Sequence, residues 1–175
     1  MRRGGRESRV LTCRVDRDGA ALDVGANKGV STHLLGRLAT HVYAFEPNPK
    51  LYKSLIRSLP YNATAKPLAV SNAAGSAELR IPRGSKKGYS NQGGSLSAHK
   101  VQGEFGAVTV EAIRIDDLDL PPVGFIKVDV EGFELQTLEG AVETLARDKP
   151  VLLIEMEERH TGIPIEDMIA TVESY

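Results

Sequence analysis

The sequence predicts an α/β domain built on a doubly wound, mostly parallel sheet. Three observations carry that expectation. Short apolar segments of strand length alternate with segments whose apolar residues recur at helical spacing. The first strand runs into a glycine-bracketed turn, Gly25-Ala26-Asn27-Lys28-Gly29, and a helix follows. The second strand ends on an acidic residue, Glu46, about 20 residues after that turn. Strands alternating with helices form parallel sheets joined by right-handed crossovers, with helices on both faces.

In order along the chain, residues 1–18 carry Arg2, Arg3, Arg6, Arg9, Arg14 and Arg17 and only a weak apolar patch. They read as a basic, weakly ordered lead-in, with Val10 to Val15 as a candidate edge strand. Interleaved aromatics, the mark of a nucleic-acid arm, are missing. The domain itself is expected over 19–175, opening at the Asp18-Gly19 turn. Ala21, Leu22 and Val24 end the first strand, and Val30, Leu34, Leu35 and Leu38 give the next helix its apolar face. Strand, Gly-rich turn and helix form the geometry in which backbone N–H groups face a ligand. Gly25 and Gly29 let backbone approach that ligand where a Cβ would clash. Asp23 sits at the carboxyl end of the strand, where open α/β sheets bind ligands.

Val42 to Phe45 is the second strand, and the two acceptor oxygens of Glu46 at its tip match a ribose diol. Pro47-Asn48-Pro49 stops the strand and starts a helix with Leu51, Leu55 and Leu59 on one face. Ala63 to Val70 reads as the third strand, leading into Ser71-Asn72. Ala77 to Pro82 and Val108 to Ile115 alternate, and are expected to pair as an antiparallel hairpin inserted after that strand. Between them, Arg83 to Gly94 is a long aperiodic loop, of the kind that is functional or disordered. Asp116 and Asp117 terminate the hairpin and serve the turn.

The fourth core strand, Val123 to Val130, has Lys127 and Asp129 embedded in it. Two residues apart, they project from the same face. With Glu131 just beyond, they form the most conspicuous polar cluster in the chain. Two readings stay open: a buried ion pair that fixes the sheet, or part of a reaction site at its carboxyl end. Phe133 to Arg147 is expected to be one amphipathic helix with Leu135, Leu138, Val142 and Leu145 inward. Val151 to Ile154 is the fifth strand, and Ile165, Met168, Ile169 and Val172 form the apolar face of the last helix. Parallel strands are thus expected near 20–24, 42–46, 64–70, 124–130 and 151–155. Their expected order is third, second, first, fourth, fifth (3-2-1-4-5).

A ribose belongs to both NAD and S-adenosylmethionine, so the turn must discriminate. A dinucleotide fingerprint uses its middle glycine to admit a pyrophosphate; here Asn27 stands there. An acid such as Asp23 also suits a ligand with an ammonium and a sulfonium better than one with phosphates. The turn favours the methyl donor.

Leu22-Asp-Val-Gly-Ala-Asn-Lys-Gly, Ala44-Phe-Glu-Pro-Asn-Pro, Phe125-Ile-Lys-Val-Asp-Val-Glu-Gly-Phe-Glu and Leu138-Glu-Gly-Ala together resemble the FkbM-type methyltransferases, from about Ala20 to the C-terminus. The resemblance implies a Rossmann-like, class I S-adenosylmethionine-dependent enzyme, commonly methylating a hydroxyl of a sugar or a secondary metabolite. The residues expected to bind S-adenosyl-L-methionine are Asp23, Gly25, Ala26, Asn27, Gly29, Glu46 and Asn48, with Ser71 and Asn72 near the adenine. Asn91-Gln-Gly-Gly-Ser-Leu resembles a Gly/Ser stretch of the family and is expected to border the acceptor site. Catalytic candidates are Asp129, Glu131, His160 and Lys127, with Glu155 as a further base. An alcohol acceptor needs a base or a metal, and Asp129 with Glu155 could hold Mg²⁺ through oxygen ligands; no dedicated metal site is expected. Two further C-terminal strands of the class are expected to be missing.

Composition sets outer bounds. The 175 residues suffice for one domain with a proper core, and a net charge of −1 makes no general case for nucleic acid or membrane. The single cysteine, Cys13, and the absence of a hydrophobic signal region lead to the expectation of a cytoplasmic protein; a small-molecule or glycan acceptor is what the resemblance implies. An NAD-dependent oxidoreductase and an inactive Rossmann-like remnant are the competing readings.

Overall fold

The strand Ala20–Val24 is buried at every position, so it needs a hydrogen-bonded neighbour on each edge and a packed layer on each face. Both are supplied. The structure, a computed structural model, describes residues 19–82, 94–97 and 105–175. In chain order the elements are β1 (Ala20–Val24), α1 (Val30–Leu35), β2 (Val42–Phe45), α2 (Pro49–Leu55), β3 (Ala63–Lys66), β4 (Leu68–Val70) and β5 (Gly75–Pro82). There follow β6 (Phe105–Ile113), β7 (Val123–Val128), α3 (Glu134–Glu139), α4 (Val142–Asp148), β8 (Val151–Ile154), α5 (Glu158–Thr161) and α6 (Ile165–Glu173).

The main sheet runs β3-β2-β1-β7-β8, every pairing parallel. With β7 and β8 as the fourth and fifth core strands, this is the order the sequence predicts. Alternation within β1 sorts its side chains onto two faces. Leu22 and Val24 join Ile126, Val128, Leu138 and Leu145 in one cluster. Ala21 joins Leu35, Val42 and Phe125 in another. Burying each large aliphatic or aromatic side chain contributes about 1.5–3 kcal/mol, so these two layers hold the strand tips in place. Asp23 shares the Ala21 face and stands directly opposite Lys127 in register.

Several elements depart from the expected spans for local reasons. The third strand divides at Pro67, which has no N–H to donate to a ladder. β3 stays beside β2, while β4 leaves to pair with β6 in a second sheet of order β4-β6-β5. The expected antiparallel hairpin is there and extends from Gly75↔Ala112 to Pro82↔Phe105. The single helix expected over 133–147 is two helices, α3 and α4. At Gly140 a Cβ would overlap the Ser71 carbonyl oxygen, so the corner is pressed against the end of β4. Asp116 then accepts from the N–H groups of Glu143 and Thr144 and from the Thr144 hydroxyl, capping the second helix afresh. The break resets the helical phase: Leu138 and Leu145 are buried but Val142 is exposed. Val30, the first residue of α1, is also exposed, as is Ile169 on α6, where Met168 takes the buried position. The arginine-rich lead-in, residues 83–93 and the start of the Asn91–Leu96 stretch lie outside the described residues.

Candidate functional site

An open cleft of about 700 Å³, solvent at its mouth included, lies where the carboxyl ends of β1, β2 and β7 meet the second sheet. Its floor is apolar: Val24, Phe45, Leu51, Leu68, Val70 and Leu79. Gly94, Ser95 and Leu96 form one lip, and Val130 and Phe133 another. Three carboxylates reach it, from Glu46, Asp129 and Glu131, and no Lys, Arg or His is among the described lining residues.

Glu46 is built in firmly. It is only 5% exposed; its Oε2 accepts from the Asn27 N–H at 2.8 Å and its Oε1 from the Asn48 N–H at 2.8 Å. Each oxygen keeps a second lone pair. Burial pushes its carboxyl up to about 7, against the two backbone donors, which favour the charged form. Asn27 holds the turn in place with a left-handed φ of 54°, a conformation Asn tolerates better than most residues. Asn48 also lines the cleft, but its side chain caps α2 by accepting from the Lys50 N–H.

Of the other expected ligand residues, Gly25 lines the cleft and the rest lie outside its lining. Asp23 is fully buried and outside the lining; its Oδ2 accepts from the Thr32 hydroxyl at 2.6 Å. Lys127 Nζ lies 3.7 Å from Asp23 Oδ1 and 3.1 Å from Asp129 Oδ2. Lys127 therefore bridges a buried strand residue and a cleft residue. Burial would lower its pKa, but Asp23 and Asp129 raise it on balance, so it stays a cation. Ala26 packs with Ala44 and Leu55. The missing Cβ of Gly29 faces Leu55. Gly25 lines the cleft, yet the group a Cβ would meet there is the Asp129 carbonyl on the neighbouring strand end. Ser71 and Asn72 lie outside the lining, where Asn72 Nδ2 donates to Glu139 Oε2 at 2.7 Å. Glu155 is exposed and also outside it. His160 is buried behind Glu131, its Nε2 3.6 Å from Glu131 Oε2.

Residue spacing did not reveal the apolar floor from β4 and β5, because it is assembled across two sheets. The Ser95 hydroxyl, within the stretch expected to border the acceptor site, donates to the Glu131 carbonyl at 2.7 Å. Among the described residues no group of three or more His, Cys, Asp and Glu is placed to hold a metal ion. No helix of the described residues is long and apolar enough to cross a membrane.

A family profile described as the methyltransferase FkbM domain matches residues 23–175. The hexuronic acid methyltransferase AglP of Haloferax volcanii is 30% identical over 174 residues, which cover 91% of this chain and 64% of that protein. The crystal structure of methyltransferase FkbM from Methylobacillus flagellatus KT matches with a TM-score of 0.63 at 20% identity, over 90% of this chain and 37% of that one. That likeness speaks to the fold. This chain thus spans less than two thirds of either protein's length. With the profile covering most of the chain and the cleft at the carboxyl edge of the matching sheet, the chain belongs to the FkbM methyltransferase family.

Proposed function

We propose that this protein transfers a methyl group from S-adenosylmethionine to a hydroxyl of a sugar. The observation that carries the reading is Glu46, a buried carboxylate at the tip of β2 whose oxygens are held by two backbone N–H groups inside the cleft. Such a group can take both hydroxyls of a ribose. The apolar floor suits a flat adenine, and the acidic lining suits an ammonium and a sulfonium. The described lining residues offer a pyrophosphate no cation. When bound, S-adenosylmethionine supplies an electrophilic methyl group. The chain's own part is to hold the acceptor in line, exclude water with the Leu96 and Phe133 lips, and take the acceptor's proton on Asp129 or Glu131. The sugar acceptor is drawn from the hexuronic acid methyltransferase relative.

Calorimetry with S-adenosylhomocysteine tests the reading. Glu46→Gln should weaken binding by roughly 10- to 100-fold, the worth of charge-assisted hydrogen bonds of ~1.5–3 kcal/mol. The effect also has a pH signature. Two ligand hydroxyls donate best to the ionised carboxylate, and Glu46 ionises only as pH rises through about 7. Affinity should therefore rise roughly 30-fold from about pH 5.5 to about pH 8.5, one decade per pH unit below the midpoint. In Glu46→Gln that slope should vanish. A pH-independent affinity in the unaltered protein, or tighter binding of NAD than of S-adenosylhomocysteine, would sink the assignment.

A further inference from the structure

We infer that Glu131 is the group that takes the acceptor's proton, and that His160 and Ser95 are positioning residues which hold it for that task. The inference rests on the methyl-transfer reading and goes on to choose among its two candidate bases. Asp129 and Glu131 both reach the cleft, but Asp129 Oδ2 is held by the Lys127 ammonium at 3.1 Å. Glu131 is set up differently. Its backbone has φ 58°, a left-handed conformation that residues other than glycine seldom adopt. Such geometry persists only where the surroundings enforce it, and here the enforcing contacts are visible. The Ser95 hydroxyl, 1% exposed, donates to the Glu131 carbonyl at 2.7 Å and accepts from the Ser97 N–H at 2.9 Å. The Ser97 hydroxyl donates in turn to the His160 carbonyl at 3.0 Å. Gly132, next in the chain, packs so closely on His160 that a Cβ would lie 2.6 Å from its carbonyl oxygen. Its N–H donates to Glu134 Oε1 at 2.7 Å.

These contacts fix the loop, and the imidazole addresses its side chain. His160 Nε2 lies 3.6 Å from Glu131 Oε2 and 3.9 Å from Glu157 Oε2, and Glu157 also pairs with Arg159. Glu131 is among the residues that line the cleft and His160 is not. The usual arrangement of a base and its orienting partner is therefore reversed, with the carboxylate facing substrate and the imidazole behind. In the transfer, the acceptor's O–H bond breaks as its oxygen forms a bond to the methyl carbon, and the S–C bond breaks with its electron pair left on sulfur. The proton passes to Glu131 and is released to solvent after product leaves.

The test reads the imidazole first. Histidine-labelled protein is titrated by NMR as the unaltered chain, as Glu131→Gln and as Glu157→Gln. Loss of the Glu131 carboxylate should lower the His160 midpoint by about one pH unit, the expected effect of removing a nearby opposite charge, and by more than loss of Glu157. An unmoved midpoint in Glu131→Gln overturns the inference. Turnover is then measured with tritiated S-adenosylmethionine and with methyl glucuronide and methyl glucoside as acceptors. His160→Gln and Ser95→Ala should each lower kcat about tenfold or more, on the scale of impaired proton transfer. The affinity of His160→Gln for S-adenosylhomocysteine should stay within about twofold, since His160 lies outside the cleft lining. Full kcat in both variants overturns the positioning roles. If the unaltered protein binds S-adenosylhomocysteine but methylates neither glycoside, the sugar reading fails and the titration alone decides the inference.

Discussion

Replacing Lys127 by methionine should destabilise the domain by about 3–5 kcal/mol near pH 8, the scale of breaking a buried ion pair by removing one partner. Lys127 is 9% exposed and stands between Asp23, which is fully buried, and Asp129. Burial already raises the Asp23 pKa, while Lys127 and the Thr32 hydroxyl hold it down. Without the ammonium, Asp23 must either stay charged in an apolar layer or take up a proton. Its folded pKa then rises further above the unfolded one. A carboxyl raised in this sense leaves stability intact at low pH and removes it as pH climbs through the folded value. The deficit of Lys127→Met should accordingly be small near pH 4 and widen toward pH 8. Urea titrations across that range measure it. The double variant Asp23→Asn with Lys127→Met, which leaves no buried charge on either strand, should recover much of the loss. A deficit under about 1 kcal/mol at pH 8 would show that Asp129 and solvent, rather than Asp23, are what the ammonium serves.

That triad shows how far the sequence could be read. Two charged residues inside an apolar strand pattern announce a paired site, but the pattern does not disclose that Lys127 also has Asp23 of the next strand as a partner. Sequence spacing reports neighbours along one strand, whereas the register that sets Asp23 opposite Lys127 is a property of the folded sheet. The same distinction runs through the fold. The order of the main sheet was legible because strand–helix alternation and crossover handedness leave few topologies. The split of the third strand was legible in principle at Pro67. The split of the helix at Gly140 was not, because its cause is the Ser71 carbonyl, distant in sequence. In the site, Glu46 was legible from its place after an apolar strand. Its two backbone donors and its raised pKa come from how deeply the turn and α2 close over it. His160 stands out in the sequence for its chemistry and lies behind Glu131 rather than in the lining.

Gly25 separates two explanations of a glycine that sequence alone merges, and replacing it should have an effect comparable to that of Lys127. In a Gly-rich turn the expected reason for glycine is approach of a ligand. In the structure Gly25 has φ 81°, and a Cβ on it would overlap the Asp129 carbonyl oxygen before it met any ligand. The N–H groups of Gly25 and Ala26 both donate to the Phe45 carbonyl, so the turn cannot simply slide aside. Gly25→Ala therefore meets two costs. The left-handed backbone costs about 1–2 kcal/mol for a residue with a Cβ, and the overlap forces β1 and β7 apart at the cleft or bends the turn outward. Gly162 supplies the comparison, because its φ is 74° and nothing lies within 4 Å of its Cβ position. Gly162→Ala should show the backbone cost alone. Gly25→Ala should exceed it by about 2 kcal/mol or more, the low end of a strained packing change, and Gly25→Val by more still. Because the displaced groups are the cleft's own walls, S-adenosylhomocysteine binding should fall in Gly25→Ala at temperatures where the protein remains folded, and should stay unchanged in Gly162→Ala. Equal destabilisation by the two alanines would mean that the Asp129 strand end yields without cost. Loss of binding with no excess destabilisation would return Gly25 to the role the sequence first suggests, a place where backbone comes close to a ligand.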